Sequence, residues 1–184
     1  QHWRNRNNQS GSKRNISHHY DLGNQFYSRW LDRTMTYSSA VFQSETDTLE
    51  DAQNRKYQKL AELADIQPGE RVLEIGCGWG GFAEYAAKEY GAHVTGITIS
   101  KEQYDFTKNR LRTAGLDHMT DIVMQDYRKL NQRFDKIVSI EMFEAVGEKY
   151  WPVYFKTIAN CLKEGGKAAL QVITIDHKAF LEYR

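Results

Sequence analysis

The sequence predicts a three-layer α/β sandwich around a central, mostly parallel sheet. Three observations predict it. Short apolar runs alternate with stretches of about 10–15 residues at helical spacing, the pattern of successive βαβ units with right-handed crossovers. A glycine cluster follows the first apolar run, where a strand must turn sharply into a helix. Only two prolines interrupt 184 residues, and 40% of the chain is hydrophobic, enough for a sizeable core.

The elements follow in order. Thr48 and Asp51 make a capping-box start, and Leu49, Ala52, Leu60, Leu63 and Ala64 form an apolar stripe, which gives a helix over 48–65. Gln67-Pro68-Gly69 marks a turn. Residues 71–75 form the first strand, and a helix over about 80–90 follows the glycines. The second strand, 93–99, carries Val94, Ile97 and Ile99, and Ser100 caps a helix over about 101–114. Strands at 121–125 and 134–140 come next. A helix over about 148–163 has Pro152 in its first turn, Gly165-Gly166 ends it, and a fifth strand runs over 168–175. Residues 48–184 are therefore read as a ligand-binding domain and residues 1–47 as a basic arm followed by an aromatic-rich cover. The chain starts without Met and stops inside an apolar pattern (Phe180, Leu181, Tyr183), so it reads as part of something longer, truncated at its C-terminus.

Composition narrows the classes. A mean hydropathy of −0.71 and the lack of any apolar run of about 18 residues exclude a membrane-spanning chain. A net charge of +1 argues against a dedicated nucleic-acid binder. Residues 1–20 nevertheless hold Arg4, Arg6, Lys13 and Arg14 with no acid, an arm that can touch an anionic bilayer leaflet. Cys77 and Cys161 cannot form a disulfide framework, and no secretory signal is recognisable, so a cytoplasmic location, peripheral at the inner membrane face, is expected. No metal site is expected.

The strongest local signal is Val72-Leu73-Glu74-Ile75-Gly76-Cys77-Gly78-Trp79-Gly80-Gly81. Its glycines let the backbone approach a ligand at the carboxyl end of the strand. Gly76, Gly78 and Gly81 also satisfy a dinucleotide fingerprint, so NAD has to be weighed. Against it, the second strand ends in Thr98-Ile99-Ser100, without the acid that would hold a ribose. The acid sits instead before the loop, at Glu74, in the E-x-G-x-G-x-G form of S-adenosylmethionine sites. Gln103 can donate to and accept from a sugar hydroxyl, and Asp126-Tyr127 offers an acceptor and a flat face to adenine. Cys77 reads as a small residue filling the turn.

Several blocks together resemble the cyclopropane-fatty-acid synthase family, which includes the mycolic-acid cyclopropane synthases. They are His19-Tyr20-Asp21-Leu22-Gly23-Asn24, Met35-Thr36-Tyr37-Ser38-Ser39-Ala40, residues 73–82, residues 96–103, Gln125-Asp126-Tyr127-Arg128, and Ser139-Ile140-Glu141-Met142-Phe143-Glu144-Ala145-Val146-Gly147. The resemblance runs from Asn15 to about Ile175. It implies a class I methyltransferase, Rossmann-like fold and methyl transfer from S-adenosylmethionine to a cis double bond of an unsaturated phospholipid acyl chain at a membrane surface. A bound bicarbonate then takes a proton and a cyclopropane closes. Cofactor contacts implied are Tyr37, Ser38, Val72 to Gly80, Thr98, Ile99, Ser100, Gln103, Asp126, Tyr127 and Arg128. Glu144 and the Ser39 backbone are implied at the bicarbonate, with Gln171 in place of a histidine common on the fifth strand, and Tyr20 among the aromatics near the cation. Further departures are Ser39 for a cysteine, Ala145 for a second histidine, and Glu141 as an added carboxylate. A homodimer is compatible with this reading. The rival readings are a methyltransferase of the same superfamily acting on a small amine, a non-catalytic lipid-surface module, and, more distantly, an NAD-dependent oxidoreductase.

Overall fold

A computed structural model describes residues 23–183. Tyr20 and the basic arm lie outside the described residues. The chain opens with a single helical turn, α1 (Asn24–Tyr27), and an irregular stretch reaching Thr48. Helix α2 (Leu49–Ala64) begins at the expected box: the Thr48 hydroxyl accepts the Asp51 N–H, and the Asp51 carboxylate accepts the Thr48 N–H.

Five strands follow: β1 (Arg71–Ile75), β2 (His93–Thr98), β3 (Thr120–Met124), β4 (Phe134–Ile140) and β5 (Leu162–Gln171). The helices between them are α3 (Gly81–Tyr90), α4 (Lys101–Thr113) and α5 (Trp151–Cys161), with α6 (His177–Tyr183) after the last strand. The sheet order is β3-β2-β1-β4-β5, and every pair is parallel. Strand order therefore reverses at β1, whose neighbours lead away on opposite sides. That is where an open α/β sheet leaves a crevice at its carboxyl edge.

Alternation along the strands builds the two outer layers. Val72, Val94 and Val138 pack with Leu60, Ala61 and Phe82 from α2 and α3, while Leu73, Ile75 and Ile137 face Tyr154, Ile158 and Cys161 of α5. Because both faces of β1 are covered, its run after the exposed Arg71 is apolar apart from Glu74, which is buried on the α2–α3 side.

Two sequence expectations need correction. The helix expected over 148–163 is a 3₁₀ turn (Glu148–Tyr150) followed by α5, with Pro152 in its first turn. The expected fifth strand, 168–175, is displaced: the chain turns extended directly at Leu162 and pairs until Gln171 faces Ile140, the last residue of β4. Gly165-Gly166 does not end the helix. It lies inside β5 at a register irregularity opposite Phe134 and Lys136, where a Cβ on Gly166 would come within 2.8 Å of the Asp135 carbonyl.

Candidate active site

The carboxyl ends of β1, β2 and β4 open into one cavity of about 380 Å³. The glycine loop forms its floor. Gly76, Gly78 and Gly80 all take left-handed φ values, 81°, 52° and 81°, which favour glycine. A Cβ at Gly76 would also meet Met142 Cγ at 2.8 Å, and one at Gly80 would collide with Thr107. A Cβ at Gly78 would meet no protein atom, so the loop is open where it borders the cavity. Cys77 is buried, and burial pushes its thiol well above the usual range, which leaves it inert.

At the β2–β3 side, Thr98 donates to the Gln103 carboxamide oxygen at 2.9 Å, and the Gln103 N–H donates to the Ser100 cap. The carbonyl end of Gln103 is thus committed, and its NH₂ group is left to donate to a ligand oxygen. Asp126 is gripped in a bidentate pair by Arg128, with Nε to Oδ1 at 2.8 Å and Nη2 to Oδ2 at 2.5 Å. Burial raises the Asp126 pKa, but the Arg128 bonds outweigh it and hold the carboxyl below its ordinary range. Tyr127 lines the cavity with its ring edge-on to Tyr154 at 5.4 Å.

At the β4–β5 side the residues 37–39 stretch lies against the cavity and against Glu141. Tyr37 and Ser38 line the cavity. Ser39 and Gln171 converge on a residue with no assigned role: the Ser39 N–H donates to Glu141 Oε1 at 2.9 Å, and Gln171 Nε2 donates to the same oxygen at 2.8 Å. Glu141 lines the cavity with a φ of 47°, a left-handed conformation that costs a non-glycine residue. Glu144 is exposed, shares no hydrogen bond with Ser39 or Gln171, and accepts the Ile173 N–H. Among the other expected contacts, Glu74, Ile75, Gly76, Cys77, Gly78, Trp79, Thr98, Ile99, Asp126 and Arg128 line the cavity. Val72 and Leu73 are wholly buried in the two core layers, while Gly80 and Ser100 cap α3 and α4.

Three side chains of α2, Tyr57 in the cavity lining and Gln53 and Lys56 behind it, are not among the residues the sequence singles out. Gln53, Lys56 and Tyr57 are buried on the inward face of α2, and Gln53 Nε2 donates to the Ser38 carbonyl at 2.8 Å. Their signal was legible: Gln53, Lys56, Tyr57 and Leu60 recur at i, i+3, i+4 and i+7, which puts two polar side chains in an apolar stripe. Glu74 keeps one oxygen on the Ala83 N–H, while its buried Oε2 has no partner, and burial raises its carboxyl well above the usual range. Among the described residues no group of three or more His, Cys, Asp or Glu side chains can hold a metal.

A family model described as mycolic acid cyclopropane synthetase matches residues 7–184. The chain belongs to the mycolic acid cyclopropane synthetase family. It is 47% identical over 155 residues to the cyclopropane-fatty-acyl-phospholipid synthase of Escherichia coli K12, covering 84% of this chain and 39% of that protein. It is 43% identical over 164 residues to a probable fatty acid methyltransferase of Pseudomonas putida, covering 88% and 42%. The mycolic acid cyclopropane synthase CmaA1, solved in complex with SAH and CTAB, superposes with a TM-score of 0.86 at 29% identity, over 94% of this chain and 60% of that one. The chain thus spans about two fifths of these curated relatives, and its sheet and flanking helices are those of a class I methyltransferase fold.

Proposed function

We propose that the protein binds S-adenosylmethionine in this cavity and methylates a cis double bond of an unsaturated phospholipid acyl chain at a membrane surface. The observation that carries the reading is the joining of a glycine-floored cavity to the Glu141–Ser39–Gln171 cluster at its far end. Family membership and a fold neighbour solved with SAH support it.

Gln103 would hold the sugar and Tyr127 the base, while Tyr37, Ser38 and the glycine loop would take the amino-acid end. When bound, the cofactor supplies an electrophilic methyl group. The protein's own task is then to shelter a cation on the acyl chain and accept one proton. Tyr37 offers a ring face that tolerates positive charge. In the first reading of the proton acceptor, bicarbonate lies between the Ser39 N–H and Gln171, with Glu144 helping to hold it. One observation favours a second reading: both donors already converge on Glu141 Oε1. That carboxylate stands where bicarbonate is assigned and can accept the proton itself.

The test is full-length protein with methyl-labelled S-adenosylmethionine and dioleoyl phosphatidylglycerol vesicles, in buffers with and without bicarbonate. Label is expected in the fatty esters released from the lipid, and gas chromatography distinguishes a ring from a branched product. Label confined to added small amines would overturn the lipid assignment. Bicarbonate-independent turnover that Glu141→Gln abolishes would assign the proton to Glu141. Bicarbonate dependence, with loss in Glu144→Gln, would restore the first reading.

A further inference from the structure

We propose that Lys56 is a positioning residue that aims the Ser38 hydroxyl at a carboxylate, and thereby makes the cavity select a cofactor bearing its complete amino-acid portion. The inference rests on the S-adenosylmethionine reading above and assigns a determinant within it.

Lys56 is 2% exposed, and its Nζ lies 2.5 Å from Ser38 Oγ. An ammonium only donates, so the Ser38 oxygen must be the acceptor, and its own proton has to be given elsewhere. Ser38 lines the cavity, where that proton meets a ligand. Gln53, one turn earlier on α2, fixes the Ser38 carbonyl, so the residue is held from behind at two points. Among the described residues no carboxylate lies within ion-pair distance of Lys56 Nζ. A buried cation with no carboxylate in direct contact is costly, and an anion beside Ser38 relieves that cost.

Topology says which part of the ligand supplies the anion. Gln103 and the residues 126–128 turn stand over β2 and β3, whereas Ser38 and Glu141 lie toward β4 and β5. With sugar and base assigned to the first side, the amino-acid end falls to the second, and its carboxylate is the ligand's one anionic group. The charged groups that face Lys56 are Glu74 from β1, Glu141 after β4 and Asp32 from the cover, with the Tyr57 ring 4.9 Å away on its own helix. Arg110 of α4 acts on Glu74 and Tyr57. Burial lowers the Lys56 pKa to about 8 despite these acids, so the device weakens in alkali.

Calorimetry on the purified protein tests this with S-adenosylhomocysteine and its decarboxylated analogue, which keeps the amine and lacks the carboxylate. Wild type is expected to prefer the complete ligand by about tenfold or more, as a charge-assisted contact implies. In Lys56→Met that preference should collapse while affinity for the decarboxylated analogue holds. Equal weakening toward both ligands would mean a merely structural role and overturn the proposal, as would an unchanged preference. Should the variant not fold, the wild-type preference must shrink as pH rises through about 8, and a flat profile overturns the proposal. Wild type binding neither ligand would instead remove the cofactor reading itself.

Discussion

Two glycines of one loop have opposite jobs, and single methyl groups separate them. At Gly80 an added Cβ collides with Thr107 in a left-handed backbone, so Gly80→Ala should destabilise the fold by about 2 kcal/mol or more in a thermal melt. At Gly78 the same methyl enters open space at the cavity wall. Gly78→Ala should cost only the left-handed strain of about 1–2 kcal/mol yet weaken S-adenosylhomocysteine binding at least ~10-fold. Equal affinity in this variant would show that the loop does not border the ligand. Lys56 offers a pH signature of its own. Its folded pKa is lowered to about 8, so between there and the unperturbed lysine value of about 10.4 the unfolded chain binds the extra proton. Stability must therefore rise with pH across that window. Urea titrations at about pH 7.5 and about pH 10 should show wild type gaining on Lys56→Met, and a constant difference would mean that Lys56 is not a buried cation. The glycines were legible because turn chemistry is local. Glu141 was seen only as an extra carboxylate, because its bonds to Ser39 and Gln171 reach across 102 and 30 positions that no spacing encodes.

Among the elements, legibility followed how local the deciding interaction is. The strands at 71–75 and 134–140 match their expected bounds because both are short, mostly apolar runs whose interiors are buried on two faces. The cap of α2 was also readable, since Thr48 and Asp51 satisfy each other within one turn. Strand β5 was not, because its start is dictated by pairing with Phe134 and its end by the end of β4, both set by a partner strand 28 to 31 residues away in sequence. The glycines at 165–166 resembled a helix stop, yet they answer to the Asp135 carbonyl. Helix α2 joins fold to function, because one face carries Leu60, Ala61 and Ala64 into the core together with Gln53 and Lys56 behind Ser38. Thr48→Ala should therefore cost about 1 kcal/mol of stability by denaturant titration. Because that loss frays only the first turn, ligand affinity should change less than twofold, about the resolution of a calorimetric Kd. A large affinity loss would mean that the start of α2, rather than its buried middle, positions the 37–39 loop.

For the whole molecule the question is how the aromatic segment ahead of α2 is fastened to the glycine loop and the helices beside it. Trp79 of the glycine loop donates to Asn24 Oδ1 at 2.7 Å, and its ring lies 4.9 Å from that of Tyr27. Met35 completes this small buried cluster. The second fastening is Arg110 of α4, which pairs with Glu84 of α3 and donates to the Thr34 carbonyl and, at 3.4 Å, to that of Trp79. One guanidinium thus ties two helices of the body to both the cover and the glycine loop. Arg110→Met leaves Glu84 and two carbonyls without their partner, which should lower stability by about 1–3 kcal/mol. Hydrogen exchange reveals where that loss falls. If cover and sheet open as one cooperative unit, protection drops by the same factor at residues 34–39 and in β1 and β4. Arg110 spans a boundary that the strand pairings do not cross, so exchange should instead quicken at 34–39 while the central strands keep their protection. A segment that opens by itself would give the proposed cofactor and acyl chain a way into the cavity without disturbing the sheet.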